Sequence, residues 1–284
     1  MLRSLVGGVD HVVIAVKNLT KAASAWAALG FTIAPRGLHS AAMGTANHTI
    51  MLGPDYLELL SVLKPTATNE DTRKLLSKRD GIERTAFATD DTAGLVKAIK
   101  KQGIEPVGPL HFGRPVELPN GKTAEANFSA CRWPASAAVA GMSIFACHHH
   151  TPKYVWLKHL QQHANGAARI RRIKLVSSEP RQAAQRLAAL TGREAKRQSD
   201  GSYTVSSGRG RAEFIFVSRA LLAKRHEGLP MPDWPENAAV GLAIETGDIA
   251  AARRAAGALG MIKRGRLVIP PKHANGLILC FEQG

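Results

Sequence analysis

Two residues near the start of the chain have the types and surroundings to do chemistry together. His11 lies in GVDHVVIAV (residues 8–16) and Glu58 in DYLELLSV (residues 55–62). Both segments are short apolar runs that read as strands. An imidazole at the start of one strand and a carboxylate on its neighbour can converge on one cation. A carboxylate inside an apolar strand is costly to bury unless it is paired or bound to metal. By alternation Glu58 shares a face with Tyr56 and Leu60. The plainer alternatives are a strand-edge histidine bonded to backbone, and an edge strand that leaves Glu58 in water.

Other residues could join them. The run Cys147-His148-His149-His150 closes a later strand. Alternation sets His149 with Phe145 and Cys147, and His148 with Ile144 and Ala146, so these histidines cannot all face one way. Matching the Phe145 face to the Glu58 face favours His149. The alternative is that the histidines leave the strand and cap the segment that follows. His48 alternates with Asn47, so only one of the two faces inward. Arg36 and His39 fall in a loop (35–44) that could cover a cavity. Arg36 or Arg84 could grip a substrate carboxylate in a bidentate pair.

The elements that must position these residues repeat. Residues 8–63 read as one β-α-β-β-β unit. The first helix is introduced by Asn18-Leu19-Thr20, carries Ala22, Ala25, Trp26 and Leu29 at helical spacing, and stops at Gly30. Strands are expected at 31–34, 46–52 and 56–63. A second unit places strands at 82–88 and 139–149, a helix behind Asp90-Asp91-Thr92, and a hairpin (106–118, 124–133) around Pro119-Asn120-Gly121. Laid side by side, GVDHVVIAV and GIERTAFAT put Arg84 in the place of His11. Residues 151–168 are a connector with helical spacing in its middle. The third unit opens at 170–176, with Pro180 starting its helix and Gly192 ending it. The fourth opens at 238–244, with Asp248 capping its helix. One such unit cannot bury both faces of a small sheet, so the units pair. The fold class expected is α+β: four βαβββ units in two domains, 1–150 and 169–284, joined by 151–168.

Bulk properties narrow the function. The chain has 284 residues, 45% of them hydrophobic, and a net charge of +16. Residues 169–225 hold 14 Lys/Arg against four Asp/Glu. This raises nucleic acid or anionic ligands as partners. The absence of a zinc-finger spacing, an RNA-binding signature or a basic run with interleaved aromatics argues against nucleic acid. Cys131, Cys147 and Cys280 show no paired spacing, which fits a reducing cytoplasm rather than a disulfide framework. MLRSLVGGVD does not read as a signal peptide, and no apolar run approaches a membrane span.

The opening VDHVVIAVKNL, the LGF after the first helix and the closing YLELL resemble the vicinal oxygen chelate superfamily, which includes glyoxalase I, extradiol dioxygenases and bleomycin-resistance proteins. RGLHSAAMGTANHTI and HHHTPKYVW…QHANGA resemble its glyoxalase-like branch. The likeness is specific over the first two units and the connector, and architectural beyond. It implies a cup-shaped sheet with a divalent metal (Fe, Mn, Ni or Zn) that polarises neighbouring substrate oxygens. It also implies His11, Glu58 and His149 as metal ligands. With iron(II) these would form a two-histidine, one-carboxylate triad. Substrate contacts would come from His48, His39, Arg36, Arg84, Tyr56 and His148. Arg84 at a ligand position, and histidine rather than glutamate on the last strand, depart from a four-ligand glyoxalase I site. Arg172, Lys174 and Leu242 near the later opening strands imply no second metal site.

The expected function is a metal-dependent enzyme of lyase, isomerase or ring-cleaving dioxygenase type, acting on a small, oxygen-rich molecule in the first cup, an anionic substrate being one option. The alternative is a metal-free protein that sequesters a small molecule. Pairing of units between chains would give a homodimer.

Overall fold

The computed structural model describes residues 2–284. The first sheet contains β1 (Val9–Ala15), β2 (Gly37–Leu38), β3 (Thr45–Met51), β4 (Tyr56–Val62), β5 (Gly81–Ala88), β6 (Val107–Glu117), β7 (Thr123–Arg132) and β8 (Ser143–His149). The second contains β9 (Ala167–Val176), β10 (Ala195–Arg197), β11 (Tyr203–Ser206), β12 (Glu213–Val217), β13 (Ala238–Thr246), β14 (Met261–Lys263), β15 (Arg266–Ile269) and β16 (Ile278–Gln283). The strand orders are β2-β3-β4-β1-β5-β8-β7-β6 and β10-β11-β12-β9-β13-β16-β15-β14. They are the same permutation, so the fourfold βαβββ repeat and its pairing into two glyoxalase-like sheets are present. In each sheet the two opening strands lie antiparallel at the centre, and each is parallel to the closing strand of its own unit.

Local chemistry explains the helices. The Asn18 side chain accepts from the Lys21 amide at 2.9 Å and caps Leu19–Ala28. Asp91 caps Thr92–Lys100 through the Gly94 amide at 2.7 Å, and Asp248 caps Ile249–Ala256 through Ala251 at 2.9 Å. Pro180 opens the helix to Thr191, and Gly192, at φ 67°, ends it in the left-handed conformation. Trp26 on the first of these helices is fully buried. Its Nε1 donates to Asn275 Oδ1 at 2.9 Å, tying the two halves of the chain together. The main core is shared by the two sheets: Phe87 meets Phe214, and Phe31 stacks on Phe281.

Several expectations need correction. Residues 31–34 form no strand; a two-residue strand, Gly37–Leu38, lies instead inside the expected loop. The closing strand of the second unit begins at Ser143, after the isolated bridge between Val139 and Met142. Helices Glu70–Lys78 and Arg219–Arg225 lie where none was read, because both are short and the first is mostly polar. The connector holds two short 3-10 turns, Pro152–Tyr154 and Lys158–Gln161, and β9 already begins at Ala167. Among the described residues no helix is long and apolar enough to cross a membrane.

Candidate active site

The concave face of the first sheet forms a cup of about 1000 Å³, counted to its open mouth. Its lining includes His11 and Val13 from β1, Tyr56, Glu58 and Leu60 from β4, and Phe145 and Cys147 from β8. These are the residues that alternation aims to one side. In the β1–β4 register His11 stands beside Tyr56, and Val13 beside Glu58.

A β-bulge starts the site. In the β1–β5 pairing Val9 opposes Phe87 and His11 opposes Ala86, so Asp10 is the extra residue. A bulge re-aims side chains that alternation would send to opposite faces. The Asp10 carboxylate therefore reaches its neighbour: Oδ1 lies 2.6 Å from His11 Nδ1 and 2.9 Å from His149 Nε2. Burial by itself would raise the Asp10 pKa. The hydrogen bonds from His11 and His149 prevail and hold it well below the usual carboxylate range. Asp10 is therefore an acceptor from both rings. The Nε2 of His11, turned the other way, faces Glu58 Oε2 at 3.8 Å. Tyr56 stacks on His11 with ring centroids 4.3 Å apart, which fixes the imidazole plane.

Glu58 has its own partners. Asn47 Nδ2 donates to its Oε1 at 2.7 Å and also lies 3.3 Å from His39 Nε2. His39 Nδ1 pairs with Thr45 Oγ1 at 2.7 Å, and its Nε2 is 3.7 Å from Glu58 Oε1. Burial works to raise the Glu58 pKa, but His39, His11, Asn47 and Arg84 together lower it, so the group is a carboxylate at neutral pH. Burial pulls His39 down despite the nearby Glu58 charge. Three guanidiniums, Arg84, Arg114 and Arg132, also line the cup. Arg84 is held by Glu83 and by Thr72 Oγ1 at 2.9 Å. Arg114 and Arg132 form no ion pair among the described residues.

The floor beneath His11 is largely aromatic and apolar. His149 packs edge-on against Trp156 at 4.7 Å and Phe128 at 5.0 Å, and its Nδ1 is buried without a hydrogen-bond partner. Trp156, Tyr154 and Leu160 of the connector cover this floor together with Tyr56 and Phe128. His163 further anchors the connector: Nδ1 accepts from the Thr32 amide at 3.0 Å, and Nε2 lies 2.9 Å from the Met51 carbonyl oxygen.

The structure thus brings His11, Glu58, Tyr56, His39 and Arg84 into one cup, with His149 behind it. Other candidates are placed elsewhere. Asn47 faces the cup, whereas His48 turns away and its Nδ1 lies 2.8 Å from the Ala34 carbonyl oxygen. Arg36 lines a neighbouring groove between Gly37 and the connector, because the short β2 carries it past the rim. His148 lies on the opposite face of β8 from His149 and packs on His150 at 4.2 Å. His149 and Glu58 do not share one set of ligand atoms. The three ligand atoms that lie within 4.8 Å of one another belong to Asp10, His11 and His149. Sequence reasoning missed Asp10, hidden by the bulge. It also missed Arg114 and Arg132, which strand alternation with Phe112 and Ala130 could have flagged.

The fit of these residues to a divalent cation depends on where it is asked. At Asp10, His11 Nδ1 and His149 the spacings are those of hydrogen bonds, and Asp10 and His149 lie behind the cup lining. At His11 Nε2 and Glu58 the donors are chemically suited and open to the cup. Asp10 on the far ring nitrogen supplies the outer-shell carboxylate that metal-binding histidines usually have.

Comparisons with solved structures agree with the fold. A hypothetical protein from Staphylococcus aureus is 12% identical, with a TM-score of 0.71 over 97% of this chain and 99% of that one. A triple mutant of 4-hydroxymandelate synthase from Streptomyces coelicolor is 12% identical, with a TM-score of 0.61 over 98% and 93%. A Mn(II)-bound glyoxalase from Novosphingobium aromaticivorans is 11% identical, with a TM-score of 0.56 over 99% and 83%. Sequence comparison with curated proteins finds no match. The family model described as "Glyoxalase-like domain" matches residues 9–191, more than half of the sequence, and the chain belongs to that family.

Proposed function

We propose that the first cup is the active site of a metal-dependent enzyme acting on a small, oxygen-rich, anionic molecule, with His11 Nε2 and Glu58 holding a divalent ion of iron, manganese, nickel or zinc. The observation that carries this reading is the 3.8 Å approach of His11 Nε2 to Glu58 Oε2, facing the cavity, with Asp10 behind the imidazole. A cation bound there supplies Lewis-acid polarisation of adjacent substrate oxygens or activation of dioxygen. The chain's own residues do the rest. Asp10 fixes the His11 tautomer so that the Nε2 lone pair faces the cup. Glu58, kept ionised, offers Oε2 as the anionic ligand while Asn47 holds its Oε1. Arg114 and Arg132 orient a substrate carboxylate, and Trp156 and Phe128 exclude water from the Asp10–His149 pair. The three buried, unpaired cysteines support a reducing compartment such as the cytoplasm.

A second reading, a metal-free binding cup, is favoured by one observation. Arg84 and Phe145 stand where further ligands would be expected, and Glu58 already accepts from Asn47. Metal content after purification without chelator or histidine tag separates the two. Stoichiometric metal in the wild type that is lost in both His11→Ala and Glu58→Gln supports the enzyme reading. No metal after anaerobic addition of these ions sinks it and leaves the binding module.

A further inference from the structure

The second sheet forms a cup of its own, of about 1350 Å³ counted to its mouth. Its lining carries six cationic side chains (Arg172, Lys174, Arg225, Lys263, Arg264 and Arg266) against three carboxylates, Asp200, Glu213 and Glu282. All three carboxylates are already engaged. Glu282 holds Arg172 and, at 3.2 Å, Arg266; Asp200 holds Arg225; Glu213 lies 3.9 Å from Arg172. No carboxylate is left over for Lys174.

Lys174 is the unusual group. It lies on the central strand β9 and is only 8% exposed. Among the described residues its Nζ has one hydrogen-bond partner, the His226 Nε2 at 2.8 Å. Burial, reinforced by Lys174 and Arg225, takes the His226 pKa down to about 3, so this imidazole is neutral and accepts from the ammonium. A neutral acceptor orients a cation without cancelling its charge. Burial likewise lowers the Lys174 pKa, as expected for an ammonium short of counter-charge. The register shows how far this cup departs from the first. Beside Val13 of β1 stands Glu58, whereas beside Lys174 of β9 stands Ile215. The position that offers a carboxylate in one cup is apolar in the other, next to a buried cation.

We propose that the second cup binds a small anionic metabolite through a phosphate or carboxylate group seated on Lys174, with Arg264 and Lys263 of the β14–β15 hairpin closing on it from the rim. Lys174 has two ammonium hydrogens beyond the one directed at His226, and a compact anion can take both. Its recess inside the sheet selects a small molecule over a long polyanion. Arg264 is exposed at the hairpin turn and forms no ion pair among the described residues.

The test is calorimetric titration of the full chain with inorganic phosphate and, separately, succinate at low ionic strength. Wild type is compared with Lys174→Met, Arg264→Ala and the first-cup variant Glu58→Gln. The expected result, with no divalent metal added, is an anion-binding event weakened at least tenfold in Lys174→Met and several-fold in Arg264→Ala, and retained in Glu58→Gln. Preference for phosphate marks a phosphoryl ligand; preference for succinate marks a carboxylate. Lys174→Met replaces a buried charge with an apolar chain of similar length, so it should fold; Arg264→Ala, at an exposed turn, provides the check if it does not. The proposal is overturned if neither anion binds at millimolar concentration. It is equally overturned if binding is unchanged in both variants, or if only long polyanions such as poly(U) bind and Lys174→Met leaves that binding intact.

Discussion

Asp55 offers a sharp quantitative test of how the two halves are joined. It sits in the turn before β4, is fully buried, and its Oδ1 accepts from the Ile170 amide of β9 at 2.9 Å. Its Oδ2 is buried with no hydrogen-bond partner among the described residues. The nearby Arg211 donates to the Val9 and Pro54 carbonyls instead. Burial therefore dominates and raises the Asp55 pKa from 3.8 to about 7. In the unfolded chain the group ionises near pH 4; in the folded chain it keeps its proton to near neutrality. Between those values the native state holds a proton that the unfolded state has lost, so stability falls as pH rises. The loss approaches about 1.4 kcal/mol per pH unit within that window and totals at most about 4 kcal/mol by pH 8. The perturbation is Asp55→Asn, which keeps an acceptor for Ile170 and cannot ionise. The assay is urea unfolding of both proteins from pH 4.5 to 8.5, read as the difference between them. Taking the difference removes the opposite slope from histidines such as His39 and His163, whose pKa values burial lowers. The variant should gain on the wild type steadily up to about pH 7 and then level off. A difference that stays flat across the range would refute the reasoning, because it would mean that Asp55 is ionised in the native state at no cost.

Two further predictions concern the first cup. Asp10→Ala strands two buried imidazole N–H groups, at about 1–3 kcal/mol each, and should lower unfolding free energy by roughly 2–6 kcal/mol. Asp10→Asn keeps an oxygen at Oδ1 and should cost less; nitrogen-15 NMR of the imidazoles should still find the His11 proton on Nδ1. Arg114→Ala and Arg132→Ala should each weaken binding of a small dicarboxylate such as oxalate, added with Mn(II), by about tenfold or more. Equal affinity in both variants, measured by calorimetry, would remove these guanidiniums from the substrate reading.

The fold was legible because its signals were local and repeated. Asn18, Asp91, Asp248 and Pro180 mark helix starts by their own hydrogen-bonding chemistry, and each helix begins where they stand. His11 and Glu58 were legible because polar residues inside apolar strands are costly without a partner. What alternation cannot supply is the absolute facing of a strand. That choice between Asn47 and His48 needed the β3–β4 register, in which Thr49 stands beside Glu58 and Asn47 beside Leu60. Asp10 was hidden for a related reason. Period two sends neighbours to opposite faces, and only the bulge beside Val9 lets Asp10 meet His11. The grouping of His149 with Asp10 rather than with Glu58 depends on where β8 ends relative to β1 across the intervening β5, a tertiary fact.

The excess charge of residues 169–225 was equally visible, but its arrangement was not. Read along the chain, it raised nucleic acid or anionic ligands as partners without a place for them. In the fold, Arg172 and Lys174 turn inward from β9, Arg225 and His226 close a helix end above them, and Lys263, Arg264 and Arg266 arrive from a hairpin some forty residues later. Most of these cations are neutralised on the spot, so net charge alone is a poor guide to what the cup attracts. The electrostatics are set by which group lacks a partner. In the first cup Glu58 turns Oε2 toward the His11 Nε2, an arrangement suited to a cation, while Arg114 and Arg132 form no ion pair among the described residues and leave room for an anion beside it. In the second it is a buried ammonium bonded to a neutral imidazole, suited to an anion. One backbone repeated in the same strand order can therefore present different charge patterns, because each inward position on its central strands is free to carry any side chain whose charge the ligand completes.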